Sequence, residues 1–472
     1  MRSASTRTLA FLLPLALVAC GSSSKGSNDT ASSSSNGSGG DGGGATTGTT
    51  GTGMGGATST TGTSSSSGTS TSTGGSGGGG PVVIGAWTDA PGACPNGIPK
   101  VDITTADQLA SAARGEDAYS GDAPSTCYFI HNGTYTTTGT VLYVVKGGVP
   151  GGSRRYFIGE SRDGVVIHGR GAVDDAVSDV TISNLTFDLT GYSQSGSFNT
   201  LSIGDSPTGT IKNITVDHVT FTGDCQTGAN GGHIEINSGD NVLVEACILE
   251  KFGRCGPDGH QEHGVYLANG KNLTFRNNLI RGNASRGIQL YTNGGAYGTL
   301  DGVTIEDNRI YQNGHEDYED GIVINSSGTG TINNVVIRHN VLDHNYYSAI
   351  RFAGGLETNI SIEDNTFDSN GSGSTSTSRS EINIDDAGGG AGTSITHNIF
   401  YVGNTLINDC YDGTTLGFSI GDNFVHGSAP SGAQGNCITG PLTMGDPDFA
   451  NSAQGDYHST NSAAASYGAY AP

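Results

Sequence analysis

The chain has 472 residues, 79 of them Gly and 13 Pro, with 33% hydrophobic and 14% charged residues and a formal net charge of −23. Gly follows no three-residue period, which excludes collagen, and no apolar run reaches the roughly 18 residues of a membrane-spanning helix. A nucleic-acid binder needs a basic face to displace counterions from phosphates, and so acidic a chain argues against one.

Residues 1–20 read as an export signal: Arg2 and Arg7, an apolar run from Leu9 to Val18, then small residues. The closing Leu17-Val18-Ala19-Cys20 resembles a bacterial lipobox, which implies that Cys20 becomes the acylated N-terminus. Gly21 resembles the sorting context of outer-membrane lipoproteins. The expectation is a protein lipid-anchored at the outer membrane or cell surface, or secreted, that touches membrane only through its anchor. Residues 21–80 hold 51 Gly, Ser or Thr among 60 positions and cannot fill a core. They read as a disordered tether with a span on the order of 40–45 Å.

Residues 81–472 form the folded domain, with 18 Lys and Arg against 42 Asp and Glu. Export implies an oxidising compartment, so its cysteines are candidates for disulfides. Cys94 with Cys127 and Cys410 with Cys437 pair by proximity. Thr104 to Arg114 is the best helix signal, with Thr104 and Asp107 in capping-box-like spacing, and is expected to plug one end of the fold.

From Val180 onward the sequence repeats. Segments such as Leu273-Thr-Phe-Arg-Asn-Asn-Leu-Ile280, Val303-Thr-Ile-Glu-Asp-Asn-Arg-Ile310 and Val335-Val-Ile-Arg-His-Asn-Val-Leu342 recur nine times at steps of 25–34 residues. Apolar residues alternate within each copy, as in a strand with one buried face. A second short strand follows in most copies, including Ile234-Glu-Ile236, Val265-Tyr-Leu267, Ile288-Gln-Leu290 and Ile350-Arg-Phe352. Short strands, variable loops and no helical pattern predict an all-β fold, a single-stranded parallel β-helix of about nine to ten coils. The sixth residue of six consecutive copies is Asn (278, 308, 340, 365, 398, 423), which predicts an inward amide ladder. Cys247 occupies that column and is expected to be buried and free, leaving Cys225 and Cys255, one coil apart, as a pair. His218, His339 and His397 share an outward column with Asp307 and Asp364 and read as a solvated face.

Several stretches resemble the pectate-lyase-like superfamily of right-handed parallel β-helices. At the N-terminal end they are Asp102-Ile-Thr-Thr-Ala-Asp-Gln-Leu-Ala110, Asn132-Gly-Thr-Tyr135, Val141-Leu-Tyr143 and Gly159 to Gly169; at the tail, Asp446-Pro-Asp-Phe449 and Gly455-Asp-Tyr457. The resemblance covers about residues 95–460. It implies a right-handed rod with an N-terminal cap, and a groove along one face in members that act on polysaccharides.

The candidate groove stripe is the middle residue of the second strand: Ser202, Glu235, Tyr266, Gln289, Val323, Arg351, Asn383. Two residues upstream of that strand stand Asn199, Gly232, His263, Arg286, Asp320, Ser348 and Ser380. Strict alternation would bury Arg286 and Asp320 unpaired, so the chain is expected to turn there and form a lip. The densest group, Asp258, His260, Glu262, His263 and Tyr266, lies within nine residues, with Arg286 on the next coil. A uronate lyase must neutralise a carboxylate, remove the C5 proton and protonate the leaving oxygen. His260 or His263 is the candidate base, Tyr266 the acid and Arg286 the neutraliser. A Ca²⁺ held by Glu235, Glu262 and Asp320 would serve the same end and offset an acidic domain's repulsion of a polyanion. Candidate substrate contacts are His233, Gln289, Tyr291, Arg351 and Asn383. Pro257-Asp-Gly-His260 distantly resembles the Asp-Pro-His signature of alginate C5-epimerases, in a different order. The expected function is a monomeric, polysaccharide-active surface protein, a lyase or C5-epimerase on uronate-containing glycans. The alternatives are a non-catalytic rod that binds glycans or partners, and a hydrolase using Glu235 with Glu262 or Glu381 with Asp385.

Overall fold

The computed structural model describes residues 84, 89 and 91–471 of the unit Gly74–Pro472, apart from 117–123, 138, 193–198, 205, 207, 225–230, 255–260, 295–297, 386–389, 409–416 and 430–436. The expectations for Cys20, the tether, Cys225, Cys255, Asp258, His260 and Cys410 lie outside these residues.

Three parallel sheets build the domain. The first runs through twelve strands from Lys100–Ile103 to Phe418–Ile420, the second through twelve from Gly133–Tyr135 to Leu442–Met444, and the third through ten from Thr140–Val144 to Ile407–Asn408. Each strand pairs with its counterpart one coil on, as Ile305 with Ile337 and Ile337 with Ile362. The alternating residues do what the pattern predicts: Val303, Ile305, Val335, Ile337, Ile360 and Ile362 are fully buried. Rings stack along the axis, Phe187 on Phe221 at 5.3 Å and Phe367 on Phe400 at 4.7 Å. The fold is the expected all-β rod.

Two bends per coil explain much of the repeat. The residue before each sixth position (Asn184, His218, Ala246, Asn277, Asp307, His339, Asp364, His397, Asp422) holds φ between 51° and 58°. Asn, Asp and His tolerate that left-handed conformation best among residues with a side chain, so backbone demand accounts for most of the outward His/Asp column. The next side chain then turns inward. Asn278 Nδ2 donates to Asn308 Oδ1 at 2.9 Å, and the chain of amides continues through Asn340, Asn365 and Asn398 to Asn423. Cys247 lies at its head, fully buried and free, its backbone N–H donating to Asn278 Oδ1.

A second ladder, five residues further on, was not foreseen. Gly282, Gln312, His344 and Ser369 repeat the left-handed bend, and Asn283, Asn313, Asn345 and Asn370 follow it inward. Their amides link at 2.9, 3.0 and 2.9 Å.

The helix Ala106–Arg114 covers the first coils with Leu109, Ala112 and Ala113. Its capping box is Thr105 with Gln108, one residue later than the sequence suggested, because Thr105 has the extended backbone (φ −136°, ψ 155°) that lets its hydroxyl accept from Gln108 N–H. Near the other end the antiparallel pair Phe449–Asn451 and Asp456–Ser459 carries Tyr457, which packs on Val341 and donates to Asp368 at 3.1 Å. Cys94 and Cys127 form a disulfide, and Cys437 is also disulfide-bonded.

Candidate active site

The stripe is real. Register pairs Ser202 with Glu235, Glu235 with Tyr266, Tyr266 with Gln289, Gln289 with Val323, Val323 with Arg351 and Arg351 with Asn383. Successive coils stand about 4.8 Å apart, so these residues form one column on the outer side of the third sheet.

The lip column also exists, and the chain turns to make it. In a regular parallel strand alternate amides face a given neighbour. Here two consecutive amides, Gly264 and Val265, both donate to the next coil, to the carbonyls of Arg286 and Gly287; Gly287 and Ile288 repeat this toward Asp320 and Gly321. The turn requires glycine: a Cβ on Gly264 would stand 2.6 Å from the Gly287 carbonyl oxygen. His263, Arg286, Asp320 and Ser348 are thereby swung to the stripe side. They are not an exposed lip, however. Asp320 and Ser348 are fully buried, and His263 and Arg286 are 3% and 8% exposed. Burial does not leave Asp320 unpaired, because Arg351 reaches it at 2.8 Å, and Arg286 donates to the neutral Gln289 amide at 3.1 Å.

Four sequence candidates come together. The His263 ring lies over Tyr266, with centroids 5.9 Å apart and planes 17° from parallel. Arg286 and Gln289 occupy the next coil beside them. Burial first, and the Arg286 charge second, hold His263 well below the ordinary imidazole range, while a hydrogen bond with Gln289 acts the other way. The result is a neutral imidazole, its buried Nδ1 without a hydrogen-bond partner, beside a phenol and a guanidinium. Tyr291 adds a second ring 6.4 Å from Tyr266, its hydroxyl near Ser327. Arg351 and Asn383 lie three and four coils further along the stripe from Tyr266.

Other candidates are elsewhere or engaged. His233 is fully buried between Thr200 Oγ1 at 2.9 Å and the Glu250 carbonyl at 2.8 Å, with Phe252 4.8 Å from its ring, so it is a core residue rather than a substrate contact. Burial pushes its pKa down to about 3. Glu235 stands on the stripe, but Glu262 is buried against Arg254 at 2.7 Å and Asp320 against Arg351. Among the described residues no group of three or more His, Cys, Asp or Glu is placed to hold a metal. Glu262 and Asp320 each give one carboxylate oxygen to a guanidinium, and with Glu235 they do not gather into a cation site among the described residues. The hydrolase pairs fail for related reasons: Glu262 is salt-bridged, and Glu381 faces the interior on Asn370. Reasoning from sequence missed Tyr318, whose φ of 71° is uncommon for an aromatic residue, and Asp385 as a partner of Arg351. The acidic run Glu316-Asp-Tyr-Glu-Asp320 was the available signal.

Residues 160–367 match the family model of the right-handed β-helix region, so the expected resemblance holds at the level of fold and hand. No curated protein matches. Among solved structures the chain is similar to the PL6 family alginate lyase AlyGC, at 14% identity and a TM-score of 0.41 over 78% of this chain and 56% of that one. It is also similar to the Streptococcus pneumoniae surface protein and adhesin PfbA (12%, TM-score 0.44, 72% and 91%). A third is the A-module of the Azotobacter vinelandii mannuronan C-5 epimerase AlgE4 (14%, TM-score 0.41, 73% and 98%). The chain thus spans little more than half the length of the alginate lyase. Among the described residues no helix is long and apolar enough to cross a membrane.

Proposed function

We propose that this protein is a cell-surface, polysaccharide-active β-helix protein, a lyase or C5-epimerase on uronate-containing glycans, tethered as a monomer by acylated Cys20. The observation that carries the reading is the neutral His263, its buried Nδ1 without a hydrogen-bond partner, stacked on Tyr266 beside Arg286. Arg286 neutralises the sugar carboxylate and makes the C5 proton more acidic. His263 Nδ1 takes that proton. In elimination the electron pair of the C5–H bond forms the C4–C5 double bond, the C4–O4 bond breaks, and Tyr266 gives its proton to O4. In epimerisation Tyr266 instead returns a proton to C5 from the opposite face. Gln289 holds the imidazole and the guanidinium in register. His260 remains a second candidate base.

The competing reading is a surface rod that binds glycans without turning them over. The 3% exposure of His263 favours it, since a base must reach its substrate. Incubating the protein with a panel of uronate polysaccharides separates the two. Growth of unsaturated-uronate absorbance, or C5 inversion seen by NMR, supports the enzyme; binding with neither supports the rod.

A further inference from the structure

Glu250, Arg281 and Tyr311 stand in successive coils on the outer side of the second sheet, where register pairs Glu250 with Arg281 and Arg281 with Tyr311. The left-handed bend that follows each holds Lys251, Gly282 and Gln312 at φ 57°, 58° and 53°. These six residues line an open cavity of about 260 Å³. Gly282 is its cause. Lys251 and Gln312 are exposed and two coils apart, about 10 Å. Between them Gly282 leaves a gap: a Cβ built there would meet no neighbouring atom within 4 Å. Backbone demand favours Gly and Asn at such a bend, so it does not account for two long polar side chains flanking an empty position. The floor of the gap is fixed. Arg281 donates to Glu250 at 2.7 Å and to the Tyr311 hydroxyl at 2.9 Å, and the Arg309 guanidinium lies 4.2 Å from the Tyr311 ring centre.

The chemistry of the lining selects the ligand. Two cations, Lys251 and Arg281, face one carboxylate, Glu250, which leaves one positive charge in excess on a domain with 18 Lys and Arg against 42 Asp and Glu. What the cavity offers a ligand is mainly donors. The Lys251 side chain is 57% exposed, and its Nζ stands 3.7 Å from Glu250 Oε1, too far for a hydrogen bond. Tyr311 accepts from Arg281 and so keeps its own proton to give. Gln312 adds an amide NH₂. The Glu250 oxygens are engaged, one by Arg281 and the other by Thr222 at 3.4 Å. An excess of donors and one spare positive charge suit a single carboxylate, whereas a phosphate would leave a surplus of negative charge. The volume falls below the ~300–1,000 Å³ of sites that enclose a drug-sized ligand, so it suits one small unit. We propose that this cavity binds one uronate unit, with its carboxylate on Lys251, Gln312 and the Tyr311 hydroxyl and its ring in the gap at Gly282. This rests on the reading of the protein as one that binds uronate glycans. The cavity lies on a different sheet from the Tyr266 stripe, so a polymer held here leaves the groove unoccupied.

The test uses the full chain and three probes in saturation-transfer NMR titrations: D-galacturonate, D-galactose (the same ring without the carboxylate) and acetate (the carboxylate without a ring). D-galacturonate is expected to bind about tenfold more tightly than either of the others. Gly282→Asn fills the gap with a residue that tolerates the bend, and Lys251→Gln removes the spare charge. Each is expected to weaken D-galacturonate about tenfold or more. Gly302→Asn makes the same substitution at a left-handed bend of the first sheet (φ 70°) and should leave binding unchanged. Equal binding of D-galactose overturns the role of the carboxylate, and equal binding of acetate overturns the sugar. D-galacturonate affinity that is unchanged in both Gly282→Asn and Lys251→Gln overturns the cavity as its site and leaves the stripe reading standing. Affinity that is lost in both variants, with no turnover of any uronate polysaccharide, upholds the cavity and removes only the catalytic reading. Failure of D-galacturonate and of every uronate polysaccharide to bind removes both.

Discussion

Asn370 Nδ2 donates to Glu381 Oε2 at 2.7 Å, so the second amide ladder ends on a carboxyl group. The next coil has Gly403 where a further Asn would stand, and Glu381 fills the gap from the third sheet. It is fully buried, and desolvation drives its carboxyl well above the ordinary range.

A carboxyl whose folded pKa is raised stabilises the fold below its unfolded pKa, about 4.5, and loses that contribution as pH rises toward the folded value. Glu381→Gln keeps the acceptor and cannot ionise. It is expected to match the parent near pH 4 and to exceed its stability by about 1–3 kcal/mol at pH 8. Urea melts at the two pH values check this; equal midpoints at pH 8 would count against a strained carboxyl.

His233 gives the opposite slope. Its folded pKa lies below the unfolded value of 6.5, so its contribution is complete above pH 6.5 and declines as pH falls toward about 3. His233→Gln should flatten the stability profile across that window, where the parent loses on the order of several kcal/mol.

The ladders themselves are stiff requirements. Asn340→Leu removes the amide that donates to Asn365 and to the Ile305 carbonyl and accepts from Asn308. A cost of about 1–3 kcal/mol is expected, and Asn313→Leu in the second ladder should behave alike. A neutral result at both positions in denaturant melts would show that the amides are replaceable by apolar packing.

On a confirmed substrate, Tyr266→Phe should lower turnover by about 100-fold or more with little change in melting temperature. His263→Ala and His260→Ala separate the two base candidates. Because His263 is held neutral well below pH 6.5, the acid limb of kcat/KM should fall below that pH. An acid limb near 6.5 that vanishes in His260→Ala would assign the base to His260.

Cys20→Ser should move the protein from the membrane fraction to the soluble fraction. A variant that still sediments with membranes in high salt contradicts lipid anchoring.

The rod was legible because its code is local. Alternating apolar residues set the strands, and the Asn after each left-handed bend marks the coil period, so register and stripe followed from counting. The second ladder is written in the same code, Asn at 278 and 283, 308 and 313, 340 and 345, 365 and 370, and spacing alone could have revealed it. The site was harder to read. Alternation says which way a residue points in a regular strand, and the paired amides at Gly264 and Val265 break that rule. Nor does a one-dimensional pattern state which arginine reaches which carboxylate. Arg254 with Glu262 and Arg351 with Asp320 are matters of side-chain reach, and each engages one oxygen of a carboxylate expected to hold a cation.

Cys247 sits sealed at the head of the first ladder, and burial raises its thiol far above the ordinary range. A thiol in that state reacts with an alkylating reagent only after its coil has opened to solvent. The chain therefore carries its own reporter in mid-rod, placed by the repeat. The rate at which Cys247 is labelled reads the free energy for parting one coil from the next, separately from the unfolding of the whole rod.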